Sequence, residues 1–96
     1  MSGITAQDVQ HSPAQSRFDV TVDGQLCVLE YLLQDKVMTI THTGVPDAVG
    51  GRGIAGALTR KALDTARAQG WKVRPACSYA AAYFQRHGED RDLLAS

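Results

Sequence analysis

Residues 17–43 form three short strand-like runs, and each run is parted from the next by two turn-forming residues. In the first, Arg17 to Val22, Phe18, Val20 and Val22 fall on one side of a strand. Asp23-Gly24 follows, and both residue types tolerate the positive φ that a two-residue hairpin loop requires. Leu26 to Leu33 is the second run, and Gln34-Asp35 turns the chain again. Lys36 to Thr43 is the third. Strict alternation puts Val37, Thr39, Thr41 and Thr43 on one face, and Met38, Ile40 and His42 on the other. Such a chain folds as an antiparallel meander with one apolar face to cover.

The cover comes from the residues that follow. Gly44 to Gly53 is a loop by its glycine and proline content, and Ile54 to Gln69 has helical periodicity with Ala55, Leu58, Ala62 and Ala66 on one stripe. Those small residues let the helix lie close to a sheet. Gly70 ends the helix in the left-handed region. Trp71 to Arg74 reads as a fourth strand stopped by Pro75, and Ser78 is placed to cap a last helix, Tyr79 to His87. Glu89 to Asp92 is an acidic tail leading to Leu93-Leu94, a weak docking point. The order β-β-β-α-β-α defines an α+β fold, a mixed sheet packed by helices.

A chain of 96 residues has room for one core, assigned to residues 17–96. Residues 1–16 are read as a flexible polar lead-in. They have neither the basic start nor the apolar stretch of a secretory signal. No apolar run approaches the roughly 18 residues of a membrane span. Cys27 and Cys77 stand far apart, without the spacing of a disulfide framework or a metal site. A cytoplasmic protein with reduced thiols is the expectation. Ten basic and ten acidic residues cancel, which argues against a general grip on nucleic acid. Residues 50–74, however, hold six basic residues against Asp64 alone. That local excess points either to a small anionic ligand or to a solvated helix face.

Gly51-Arg52-Gly53-Ile54-Ala55-Gly56 matches G-x-G-x-x-G, but position excludes two of its usual meanings. A dinucleotide fingerprint starts directly after a strand and needs an acidic residue about 20 positions on. Here residues 44–50 intervene, and Arg74 stands near the acidic position. A phosphate-binding Walker loop needs Lys and Ser or Thr after its last glycine, where Ala57 and Leu58 stand. What remains is a pyrophosphate seat on the first amides of a helix, or a loop whose glycines serve only the turn.

At these residues the chain resembles the GNAT acetyltransferases. In them, Q/R-x-x-G-x-G/A between a central strand and its helix binds the pyrophosphate of acetyl-CoA. Gly50-Gly51-Arg52-Gly53-Ile54-Ala55 lies in register with that pattern, with Gly50 where Gln or Arg is usual. The chain is similar to the minimal, single-domain members of the YjdJ type. The likeness runs through His42-Thr43-Gly44-Val45-Pro46, Gly51 to Ala55, Ala62-Leu63, Ala66-Arg67, Gly70, Lys72-Val73, Pro75 to Tyr79, and Tyr83 with His87. The resemblance implies a GNAT-like fold without the N-terminal helical arm. It also implies acetyl-CoA (coenzyme A) as cofactor, and transfer to a small-molecule or peptide amine. The rival function is a non-catalytic module that binds CoA or acyl-CoA.

The same resemblance suggests site residues. Cofactor contacts fall on Thr43, Gly44, Val45, Gly50, Gly51, Arg52, Gly53, Ile54, Ala55, Gly56 and Tyr79. His42 is either a general base, a role for which the imidazole side chain is suited, or a structural histidine. Cys77 either takes up the acetyl group, lines the acyl pocket, or packs as a small apolar residue. Tyr83 or Tyr79, one helical turn apart, is the candidate acid toward the CoA thiolate, with aromatic packing as the alternative. Cys27 reads as core, and Glu30 as a minor candidate for proton relay.

Overall fold

The computed structural model describes residues 4–95. Its centre is the expected meander. Strand β2 (Arg17–Val22) pairs with β3 (Gln25–Gln34), and β3 with β4 (Val37–Gly44), both antiparallel. Asp23 and Gly24 both have positive φ, 50° and 76°, the two-residue turn that suits twisted strands. The second turn is Asp35-Lys36 rather than Gln34-Asp35. Gln34 pairs with Val37 and leaves the two residues between them at positive φ.

Helix α1 (Ile54–Gln69) then crosses the sheet to β5 (Lys72–Pro75), which lies parallel to β4, and α2 (Ser78–Arg86) follows. Gly53 and Gly70 bracket α1, both left-handed. Phe18, Leu29, Met38, Ile40, Leu58, Leu63 and Val73 are fully buried between sheet and helices. Burial of such side chains is worth roughly 1.5–3 kcal/mol each. The sheet's other face has no helix over it among the described residues.

Three further features depart from the sequence reading. First, part of the polar lead-in belongs to the sheet: β1 (Gln10–Ser12) pairs with β2, and the neighbouring Val9 is buried. Met1–Gly3 and Ser96 lie outside the described residues. His11 anchors the strand. Its ring stacks on Phe18 at 4.2 Å, and Nε2 lies 2.7 Å from the Tyr31 hydroxyl. Burial, with Lys61 nearby, lowers the pKa of His11 below its ordinary 6.5. Neutral His11 is therefore the form that fits the fold, and its contribution is complete above the unfolded pKa. It is lost as pH falls from there through the lower folded value. We expect the melting temperature to decline in that window, and His11→Phe to flatten the decline. An identical profile for the variant would remove His11 as its cause.

Second, β4 contains a bulge. Ile40 faces Tyr31, but His42 faces Glu30, so Thr41 is an extra residue. The bulge inverts the alternation beyond it. His42 is exposed and turns to the open face with Glu30, not inward with Met38 and Ile40, while Thr43 turns toward the helices. Third, the acidic tail docks firmly. Leu93 is buried, Leu94 bridges Val73, and Asp90 is buried against α1.

Candidate active site

The site arises where β4 and β5 part. Their pairing ends at Ile40 and Pro75. There the Ile40 carbonyl accepts from both the Ala76 and Cys77 amides, at 3.0 and 3.1 Å. β5 then gives way to α2, whereas β4 continues through Thr41–Gly44 with no strand among the described residues on that side. The result is a cleft at the carboxyl ends of two parallel strands.

Cys77 stands at the head of the cleft. It, and not Ser78, caps α2: its Sγ accepts from the Ala80 amide at 3.4 Å. The same sulfur is 3.6 Å from the Thr43 hydroxyl, a contact that the bulge makes possible by turning Thr43 inward. Ser78 leads Cys in ordinary capping preference, so the sequence reading chose the wrong residue of the pair. Cys27, by contrast, is fully buried in the core.

Beside the cleft, Val45, Gly50, Gly51, Gly53, Ile54, Ala55, Gly56 and Tyr79 line one open pocket of about 240 Å³. A short turn, Asp47–Val49, with Val49 buried, fixes the loop to the core. Gly51 and Gly53 take φ of 79° and 75°, and a Cβ at either would meet nothing within 4 Å. The glycines thus leave empty space in front of α1, whose N-cap has no side-chain hydrogen bond. The first amides of α1 have no acceptor within their own helix, which makes this end a favourable seat for an anion. Tyr79 reaches across it, its hydroxyl 3.5 Å from where a Cβ on Gly56 would lie.

The remaining candidates are distributed around this centre. Arg52 pairs with Asp23 at 2.7 Å, so its side chain is held by the β2–β3 turn. Arg60 and Arg67 form ion pairs with Asp90, and Arg67 also with Asp92. Three of the six basic residues in the 50–74 segment, Arg60, Arg67 and Lys72, whose Nζ donates to the Asp92 carbonyl at 2.7 Å, are therefore spent on fastening the chain's own tail. Tyr83 is buried outside the pocket lining, stacked on His87 at 4.0 Å. Burial raises its pKa, against the opposing pull of Arg60. Of the two tyrosines, Tyr79 is the one in the pocket. His42 lies on the other side of β4 from Cys77, and its Nε2 is 2.9 Å from where a Cβ on Gly44 would be. Any larger residue at 44 must displace the imidazole. The Asp90 pairings were missed in the sequence, because no local pattern announces a partner 30 residues away.

A mixed sheet with a glycine-led crossover helix and splayed parallel strands defines the GNAT class of acyltransferase folds. The chain belongs to the GCN5-related N-acetyl-transferase family, whose sequence profile matches residues 17–93. It is 30% identical over 82 residues to Protein NATD1 of Mus musculus, covering 82% of this chain and 74% of the relative. Protein NATD1 of Homo sapiens gives the same identity, with 73% of the relative covered. The fold also matches the NMR solution structure of a GCN5-like protein from Staphylococcus aureus. That match has a TM-score of 0.73 at 22% identity, and covers 97% of this chain and 92% of the other.

Proposed function

We propose that the protein binds acetyl-CoA in this cleft and transfers the acetyl group to a primary amine. The observation that carries the reading is the end of β4, residues 41–44, paired with β3 on one edge but with no partner strand among the described residues on its β5 edge, lying between the Cys77 cap and the glycine pocket. Bound there, acetyl-CoA supplies a thioester whose carbonyl carbon accepts the amine while the C–S bond breaks and the sulfur takes up a proton.

The chain's residues have distinct tasks in this reading. The amides of Ile54, Ala55 and Gly56 hold the diphosphate by charge-assisted bonds, each worth about 1.5–3 kcal/mol. Thr43 to Val45 offer backbone groups to the pantetheine arm. His42, exposed on the open face, takes the proton from an amine approaching over that face. Cys77 meets the acyl end from the helix side, and Tyr79 provides the hydroxyl nearest the pocket. His42 and Cys77 face different ways, which favours direct transfer over an acetyl-cysteine relay served by His42. The runner-up, a CoA-binding module without turnover, draws support from the same open face, which offers an acceptor no enclosing wall.

The two readings part on release of free CoA, followed by chromatography with a panel of primary amines. Transfer predicts amine-dependent release. It further predicts that His42→Ala lowers kcat by roughly 10²-fold or more, while acetyl-CoA affinity changes little. Tight binding with no release for any amine leaves the binding module.

A further inference from the structure

On the face away from the helices, β5 alternates Lys72 and Arg74 outward around buried Val73. Arg52, Arg60 and Arg67 are all ion-paired, but Arg74 has no hydrogen bond or ion pair among the described residues. It lines an open groove of about 320 Å³ with Leu32, Gln34, Asp35, Val37 and Thr39. That volume suits a small molecule.

Strand register locates the groove. Leu32, Thr39 and Arg74 form one row across β3, β4 and β5. The following pair, Ile40 and Pro75, is the last before the strands part, so this row borders the mouth of the cleft. The groove opens from this row toward Gln34, Asp35 and Val37; on its other side, outside the groove lining, the neighbouring row on the same face is Glu30 and His42, brought together by the bulge at Thr41. Rows on one face of a strand repeat about every 7 Å. The open face therefore presents an unpaired guanidinium next to the cleft and, roughly one row away, a carboxylate beside an imidazole.

We propose that this surface selects the acceptor, and that the acceptor is a small primary amine carrying a carboxylate a few methylenes away. The carboxylate forks onto Arg74, which presents parallel N–H donors that a neutral group does not satisfy. The methylenes lie over Leu32 and Thr39. The ammonium end is drawn to Glu30, and His42 beside it removes the proton that must leave before nitrogen attacks. This assignment rests on the acetyl-transfer reading for its outcome, but binding in the groove is observable without it.

The probes are 5-aminopentanoate and its neutral amide, 5-aminopentanamide, at matched ionic strength. Titrated without acetyl-CoA and followed by backbone amide NMR, the carboxylate should shift residues 30, 32, 39, 42 and 74. The amide should not do so at the same concentration, and Arg74→Gln should abolish the response. In turnover the carboxylate should show a KM at least tenfold lower than the amide, and Arg74→Gln should bring the two values together. Equal responses to both probes, or a carboxylate response that survives Arg74→Gln, overturn the proposal. An Arg74-dependent shift with no CoA release upholds the groove and removes acetyl transfer. Turnover indifferent to both the carboxylate and Arg74 does the reverse.

Discussion

Gly53→Val is expected to leave a folded protein whose affinity for acetyl-CoA has fallen by about a hundredfold or more. The estimate equals the loss of one or two charge-assisted hydrogen bonds, roughly 3 kcal/mol in all. Gly53 has φ 75° and ψ 16°, directly before the first residue of α1. A β-branched residue is strained there, at a cost of about 1–3 kcal/mol. The space beside it is open: among the described residues, no atom beyond its chain neighbours lies within 4 Å of the Cβ position. The added side chain occupies the pocket in front of the helix, where the proposed acetyl-CoA reading seats the diphosphate. Strain alone can be separated from blockage with Gly70→Val. Gly70 has φ 76° at the opposite end of the same helix, again with nothing near its Cβ position. Both variants should melt several degrees lower than the wild type. Only Gly53→Val should lose the ligand in calorimetric titration. Matching affinities for the two would show that the glycine loop has no part in holding the cofactor.

The contrast between those two glycines also shows why some of this molecule was readable in its sequence. The limits of α1 were visible because local chemistry marks both ends, with glycine before Ile54 and after Gln69. The hairpin at Asp23-Gly24 was visible for the same reason. The glycine pocket was legible as a group of neighbours because its loop residues are contiguous in the chain. The bulge was not. Alternation assumes one residue per step, and Thr41 breaks that count with a side chain no different in kind from Thr39 or Thr43. The consequence falls on the candidate site, since one extra residue decides that His42 faces outward and Thr43 meets Cys77. Edge strand β1 was hidden by polar composition. Beyond its backbone pairing with β2, its hold on the sheet is one histidine, stacked on Phe18 and bonded to Tyr31, and the buried Val9 beside it, not an apolar run. The tail was hidden by distance, because charge counts do not reveal which arginine meets which aspartate.

Asp90→Ala should destabilise the protein by about 2–4 kcal/mol. The Asp90 side chain is 4% exposed and accepts two bonds from Arg60, at 2.7 and 2.9 Å, and one from Arg67 at 3.2 Å. Removal leaves both guanidiniums short of a partner. They keep Asp64 and Asp92 respectively and remain 29% and 46% exposed. Water therefore recovers part of the loss, and the figure stays below that of a fully enclosed pair. Against a total stability of roughly 5–15 kcal/mol, this is a large fraction. The Arg60 hydrogen bond, followed by the charges of Arg60 and Arg67, holds the Asp90 carboxyl below its usual range against the opposing effect of burial. Its stabilisation is accordingly present above the ordinary carboxylate pKa of about 3.9, and is lost as pH falls from there through the lower folded value. Urea unfolding from neutral pH down to that window should bring wild type and variant together in acid. The loss also reaches the site, because Arg60 lies beside Tyr83 on α2, and α2 carries Cys77 at its head. Amide exchange along α2 should speed up in Asp90→Ala. Asp90→Asn keeps one acceptor oxygen and should fall between the two. An Asp90→Ala protein with wild-type stability at neutral pH would mean that the Asp90 pairs add nothing to the hold of Leu93, the Leu94 bridge and the Arg67 and Lys72 contacts to Asp92.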